Sequence, residues 1–506
     1  MVQIGNGGEM LIRSDFIIQQ RIRDLISRKA DWRHIGEAVN AIIKEHQMAQ
    51  YNYRNSVADL LGRIVVPTGG GKTSIQAGGL EYIIRLDGKN VHVVVAPRLA
   101  LCNQLSVEYR NKISEDYLAL SFHSGRHEAD YTKINWSETN TTSTEKVQAE
   151  IERAKRLGVD LVIFTTYHSL GRLMDFEFDS AFFDESQYCT GKQWFDSVRN
   201  LKAKVKLFFT ATEKVMDEDI IDDHSRALNN ESVFGGIIYR VSPQTLIERG
   251  CIVAPMAHFQ QASRTGENSL LNYVIESVTY QHKYHVEERG MPFSKTLVCA
   301  NGTKDIKQVS DNHKVLKAKF PEHTIYTIIS DARYGAMIDG VKTARNEFFK
   351  RLREPGNAIV IHYDIISEGI DIPGFTGVVI DRWMDKAKLL QSIGRALRVY
   401  RKSPELKPFA LITIPIWNND SELENWAGEM IKQIRAGGFE IMEENVRYTG
   451  HESGDGEKTD PDELTRVRNT IHKIFDVCHR LEDLDEEEAL NKESVESLLA
   501  RMPNFA

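Results

Sequence analysis

Hydrophobic positions along the chain change rhythm three times. Between residues 14 and 50, Ser14 precedes apolar residues at Phe16, Ile17, Ile18, Ile22, Leu25 and Ile26, a spacing that predicts helix. From Gly62 onward the apolar residues gather into short continuous runs separated by helical stretches: Ile64–Val66, Val91–Ala96, Leu161–Thr165, Ala181–Phe183 and Lys206–Thr210. A second series follows at Thr296–Ala300, Thr324–Ile329, Ala358–His362, Gly377–Ile380 and Phe409–Ile414. Unbroken apolar strands alternating with helices imply parallel sheets covered on both faces. Ala254–Thr265, with a proline and few apolar positions, reads as the linker between the series. After Trp417 the patterns are helical, interrupted by the polar stretch 451–461. The expected organisation is an N-terminal helical segment (1–45), two α/β domains (46–258 and 259–418) and a C-terminal helical segment (419–506).

Composition refines this picture only locally. The chain has 506 residues, 41% hydrophobic and 27% charged, ordinary for a globular protein. No apolar run approaches the roughly 20 residues of a membrane-spanning helix. Met1–Phe16 lacks the apolar core of a signal peptide. Five scattered cysteines without a CxxC pair argue against a disulfide framework or zinc module and fit a reducing cytoplasm. The net charge of −8 lies entirely in residues 451–506, where seven Lys or Arg face fifteen Asp or Glu. The remaining body is balanced, which leaves room for a local basic groove along a phosphate backbone.

The chemistry is concentrated at strand ends. Pro67-Thr68-Gly69-Gly70-Gly71-Lys72-Thr73 follows one apolar run and opens a helix. Such glycines let successive N–H groups converge on phosphate oxygens at a helix N-terminus. Lys72 is placed to reach the β- and γ-phosphates, and the Thr73 hydroxyl to ligate Mg²⁺. The strict GxxxxGKT spacing would require glycine where Val66 stands. The run Ala181–Phe183 ends in Asp184 and Glu185. Asp184 suits the Mg²⁺ of a bound nucleotide, and Glu185 suits activation of the attacking water.

These motifs, in this order, resemble superfamily 2 helicases and translocases over residues 47–398. Pro67–Thr73 is similar to motif I and Asp184–Gln187 to motif II in a DExQ form. Ala96–Leu101, with Arg98, resembles motif Ia, and Thr210–Thr212 resembles motif III. Asp364–Pro373 resembles motif V and Gln391–Arg398 motif VI. The resemblance implies two tandem RecA-like domains with ATP and Mg²⁺ bound in the cleft between them. It implies nucleotide contacts from Thr68, Gly69, Gly70, Gly71, Gly369 and Asp371, and an adenine-reading glutamine at Gln47, with Gln50 as rival. Gln187, Thr210, Thr212 and Gln391 would couple ATP state to domain movement. Arg98, Thr165 and Thr166 would contact the nucleic-acid backbone. Arg395 and Arg398, three apart on an expected helix, would reach the γ-phosphate from the second domain.

Subfamily signals point the same way. Val233-Phe234-Gly235, Tyr239–Ser242 and Ile247–Gly250 resemble the end of the first motor domain of restriction-subunit-like helicases. Motif VI in the form Gln-Ser-Ile-Gly-Arg-Ala-Leu-Arg also resembles phage recombination-repair helicases. Ser186-Gln187 and Gln391 stand where RNA helicases of the DEAD-box type usually carry Ala-Asp and His. The expectation is an ATP-dependent DNA helicase or translocase that unwinds or remodels duplex or branched DNA. An RNA helicase and an ATP-gated clamp subunit of a defence or repair complex are the alternatives.

Overall fold

The computed structural model describes residues 2–5, 9–12, 30–52, 60–87, 90–124, 139–212, 226–262, 269–331, 333–363, 365, 372–417, 421–443, 446–449 and 469–483. The chain divides into two compact units. One runs from Arg28 to Ile252. The other takes Val253–Tyr363 and the chain from Gly374 onward, together with the N-terminal strands β1 (Val2–Gly5) and β2 (Glu9–Ile12).

The first unit holds β3 (Leu60–Val65), β4 (Val91–Ala96), β5 (Tyr117–Phe122), β6 (Thr139–Thr141), β7 (Asp160–Thr166), β8 (Glu177–Phe183), β9 (Lys202–Thr210) and β10 (Gly236–Arg240). All are parallel, in the order β10-β3-β9-β8-β4-β7-β5-β6. β4, β5 and β7 are buried at every position, which is why β4 and β7 read as unbroken apolar runs. Phe183 stacks on Phe208 at 4.7 Å, and Phe234 meets Phe208 edge-on at 5.1 Å. Helices α1 (Arg33–Asn52), α2 (Lys72–Asp87), α3 (Leu99–Lys112), α4 (Thr144–Leu157) and α5 (Lys192–Asn200) accompany the sheet. The ends of α4 follow local chemistry: the Ser143 side chain accepts from Lys146 N, and Gly158 closes the helix at φ 73°.

Gly235 locks β3 to β10. Its φ is 70°, and a Cβ there would stand 2.1 Å from the Leu61 carbonyl oxygen. Buried Arg63 donates to the Gly235 carbonyl at 2.9 Å. Tyr239 and Arg249 bond Glu37 of α1 at 2.9 and 3.2 Å.

The second unit contains β11 (Ala254–Ala262), β12 (Lys295–Cys299), β13 (Thr324–Ile328), β14 (Ala336–Ile338), β15 (Val341–Lys342), β16 (Ala358–His362), β17 (Gly377–Ile380), β18 (Phe409–Trp417) and β19 (Arg447–Thr449). With β1 and β2 they form one sheet, in the order β1-β2-β19-β11-β18-β17-β12-β16-β13-β14-β15. The strands from β19 to β13 are parallel; both edges are antiparallel. α6 (Ser269–His282), α7 (Lys386–Ala396) and α8 (Ser421–Ala436) belong to this unit.

Three expectations change here. Ala254–Ala262 is an interior strand paired with all nine residues of β18, not a linker. Its buried polar residues explain the misreading: His258 shares a hydrogen bond with Thr413, and Gln260 bonds Glu276 and Ser277. Arg447–Thr449 is a strand in a region expected to be helical. Val2–Gly5 and Glu9–Ile12 are strands where a helical segment was expected, in keeping with the period-two spacing of Val2 and Ile4 and of Met10 and Ile12. Helix is present from Arg33; residues 13–29, including Ser14 and Phe16, lie outside the described residues. Among the described residues, no helix is long and apolar enough to cross a membrane.

Candidate active site

The phosphate-binding loop joins β3 to α2. Gly69 and Gly71 adopt φ of 85° and 87°, a region closed to most side chains. Gly70 is crowded instead: a Cβ would meet Val66 Cγ1 at 2.6 Å and the Pro67 carbonyl at 2.9 Å. Val66 thus occupies the space that a larger residue at 70 would need. Gly70 N donates back to Pro67 O at 2.9 Å. The start of α1 supports the loop. Fully buried His34 donates from Nε2 to the Gly70 carbonyl at 2.7 Å, and Ile35 and Trp32 lie beside Gly71.

From this loop a line of polar contacts crosses the ends of three strands. Lys72 Nζ pairs with Glu185 Oε1 at 3.0 Å, both groups nearly buried. Gln187 Nε2 donates to the other Glu185 oxygen at 3.0 Å. Thr210 Oγ1 donates to Gln187 Oε1 at 2.9 Å, and Thr212 N donates to Thr210 Oγ1 at 3.1 Å. Motifs I, II and III therefore form one connected chain. Glu185 sits at φ 48°, ψ 55°, the left-handed region that costs a residue with a Cβ roughly 1–2 kcal/mol. That strain turns its carboxylate back toward Lys72.

Asp184 has its own support. Gln76 Nε2 donates to Asp184 Oδ1 at 2.8 Å, Tyr109 OH donates to Gln76 Oε1 at 2.9 Å, and Tyr167 OH donates to the Asp184 carbonyl at 2.8 Å. Burial pushes the Asp184 carboxyl up to about 6, and neighbouring Glu185 adds to the shift; Lys72 and Gln76 oppose it. Tyr167 was expected, with Thr165 and Thr166, at the nucleic-acid backbone, but its hydroxyl is turned to Asp184 instead; neither Gln76 nor Tyr109 was assigned a role from sequence. Gln76 could have been: it stands four residues after Lys72, on the same helical face. Tyr109 carries no such signal, because its partner lies on another helix.

Other expected residues fall elsewhere. Thr68 and Thr73 flank the glycines, both partly exposed. Gln47 is exposed near the far end of α1, twelve residues, or about 18 Å of helix, beyond the Ile35 that touches the loop; the structure does not bring it to Gly71. Thr165 is fully buried and spends its hydroxyl on the Phe122 carbonyl at 2.8 Å. Thr166 is 5% exposed and caps the turn Tyr167–Leu170. Neither threonine presents its hydroxyl to solvent as a backbone contact would need, whereas Arg98 is exposed at the head of α3. Gly369 and Asp371 lie outside the described residues.

In the second unit, α7 begins at Asp385, whose side chain accepts from Lys388 N at 2.8 Å. Gln391 and Arg395 lie on α7 at 8% and 5% exposure. The helix stops at Ala396, so Arg398 sits beyond it rather than one turn along the same face.

The loop and the carboxylates fit a nucleotide with its cation: a glycine cradle at a helix start, one lysine, a hydroxyl at Thr73 and a buried carboxylate at Asp184. Family models agree. Residues 34–215 match the model of the type III restriction enzyme res subunit, and residues 283–400 match the helicase conserved C-terminal domain. The chain belongs to the superfamily 2 helicases, ATP-dependent enzymes acting on nucleic acid, and carries restriction-subunit-like features.

Among solved structures, the type ISP restriction-modification enzyme LlaBIII bound to DNA superposes with a TM-score of 0.63 at 16% identity, covering 88% of this chain and 32% of that one. A nuclease-deletion mutant of the related enzyme LlaGI with a DNA substrate mimic gives 0.52 at 16% identity, covering 78% and 28%. The Saccharomyces cerevisiae protein Dbp5 bound to RNA gives 0.49 at 13% identity, covering 91% and 98%. The chain thus spans about a third of the length of the two restriction-modification enzymes. No curated protein matches it.

Proposed function

We propose that this chain is a DNA helicase or translocase whose ATP hydrolysis is stimulated by nucleic acid, with branched or forked duplex among its best activators. The observation that carries the reading is the contact line Lys72–Glu185–Gln187–Thr210–Thr212, which ties the phosphate loop to the ends of β8 and β9. Lys72 steadies the β- and γ-phosphates. Glu185, held by Lys72 and Gln187, orients the attacking water and takes its proton. Thr73 and Asp184 are the oxygen donors for Mg²⁺, which when bound neutralises phosphate charge. Arg395 and Arg398 stabilise the charge that develops on the γ-phosphate. Gly369 and Asp371 belong to the nucleotide site, and Gln391 to the coupling set. Arg98 is the phosphate-backbone contact of the first unit. The protein acts in the cytoplasm, as its five buried thiols suggest.

DNA is favoured over RNA by the match to a restriction-subunit model and by the motif forms at Ser186-Gln187 and Gln391. ATPase assays with matched single-stranded DNA, duplex, forks and RNA, followed by strand displacement on forks, test this. We expect DNA to activate most, with affinity falling by roughly 0.7 log units per phosphate contact for each tenfold rise in salt on single strands. Activation by RNA alone would replace this reading with an RNA helicase. No activation by any nucleic acid would replace it with a partner-dependent clamp.

A further inference from the structure

Lys407 stands just before β18 with its side chain buried, 2% exposed. Nζ donates to three main-chain carbonyls: Phe375 at 2.8 Å, Ala396 at 2.5 Å and Arg398 at 2.7 Å. An ammonium has three N–H donors, so all are used. No carboxylate pairs with it among the described residues. A buried cation costs several kcal/mol unless its hydrogen bonds are well made.

The acceptors have a common location. Ala396 ends α7, where orphan carbonyls and the negative end of the helix dipole attract a cation. Leu397 O, between the other two, accepts from Val253 N at 2.7 Å. Three consecutive carbonyls at the exit of α7 are therefore fixed from outside the helix. Arg398 is mounted on the last of them.

We propose that Lys407 is a positioning residue for Arg398: its ammonium fixes the backbone from which that side chain reaches ATP. This deepens the function proposed above and rests on Arg398 serving the γ-phosphate. Burial, aided by the charge of Arg398, brings the Lys407 ammonium down to about 7. Buried His285 also faces it, and Lys407 helps to lower the proton affinity of that ring. A neutral amine keeps two donors and must release one carbonyl. The hold on Arg398 therefore weakens as pH rises past neutrality.

The test is steady-state ATPase of the full chain with its best activating nucleic acid. Lys407→Gln is expected to lower kcat by up to about 10²-fold, the cost of a small misplacement, with KM for ATP nearly unchanged. Combined with Arg398→Ala it should be no slower than Arg398→Ala alone. Lys407→Arg, permanently charged, should recover part of kcat and remove the alkaline loss. Wild-type kcat should fall above about pH 7, a limb absent from Arg398→Ala. Full kcat in Lys407→Gln beside a slow Arg398→Ala overturns the proposal and leaves the arginine's role intact. Full kcat in Arg398→Ala removes that role and this proposal together. Multiplicative losses in the double variant overturn it as well. Where Lys407→Gln does not fold, the wild-type and Arg398→Ala pH profiles decide: an alkaline limb shared by both defeats the proposal.

Discussion

At the scale of single residues, the proposed mechanism separates binding from chemistry. In it Lys72 supplies charge to the phosphates and Glu185 acts on water, while in the structure each holds the other in place at 3.0 Å. Lys72→Ala should lose ATP binding and hydrolysis together. Glu185→Gln keeps shape and hydrogen bonding and should retain ATP while hydrolysis stops; wild-type turnover in that variant, measured in a single-turnover assay, would remove Glu185 from the mechanism. Gln76 offers a finer test. Gln76→Leu strips Asp184 of a donor and strands Tyr109, so the Mg²⁺ concentration for half-maximal ATPase should rise about tenfold, the lower end for loss of a group behind a metal ligand. An unchanged Mg²⁺ requirement would make Gln76 a packing residue. Lys72, Asp184 and Glu185 could be picked out from sequence because each follows closely on an apolar strand, and the structure brings the three together. Gln76 and Tyr109 were not, since their roles depend on what faces them across two helices and a strand end.

Among elements, legibility followed burial. Strands such as β4 and β7 are covered on both faces and announce themselves as apolar runs. β11 hid because His258 and Gln260 lie inside the sheet with polar partners, a solution that no local pattern reveals. The helix of motif VI was expected to run two residues further: the backbone leaves α7 at Ala396, before Arg398. β3 and β10 offer a stability test. Gly235→Ala would force a Cβ against the Leu61 carbonyl in a left-handed conformation. We expect it to destabilise the first unit by about 2–4 kcal/mol, combining backbone strain with overpacking. Chemical denaturation followed by a probe in the first unit measures this, and an unshifted midpoint would show that β10 can slide away from β3 at little cost.

For the whole molecule, acid is the predicted weakness. His258 stacks on Tyr280 at 3.8 Å, and Gln281 donates to the same Thr413 hydroxyl that His258 engages. Burial, aided by the charge of Arg447 for His258 and of Lys407 and Arg447 for His285, holds both rings far below the usual imidazole range. Both are neutral in the fold and take protons more readily when unfolded. Stability is therefore complete above the unfolded value near 6.5 and declines as pH falls below it. Thermal melts between about pH 7.5 and 5.5 should show the second unit losing stability first. His258→Asn should flatten that dependence, and an equally steep curve would assign the loss to other groups.

The pairing of Met10 with Tyr448 and of Leu11 with Arg447 joins segments made at very different times. A ribosome adding about 5–20 residues per second needs roughly 20–90 seconds to travel from one to the other. Throughout that interval β2 has no β19 to pair with, while the whole of the first unit emerges and can fold. The nascent chain therefore carries an unsatisfied strand edge until β19 has been made. Slowed translation would lengthen that exposure and favour pairing between chains on neighbouring ribosomes.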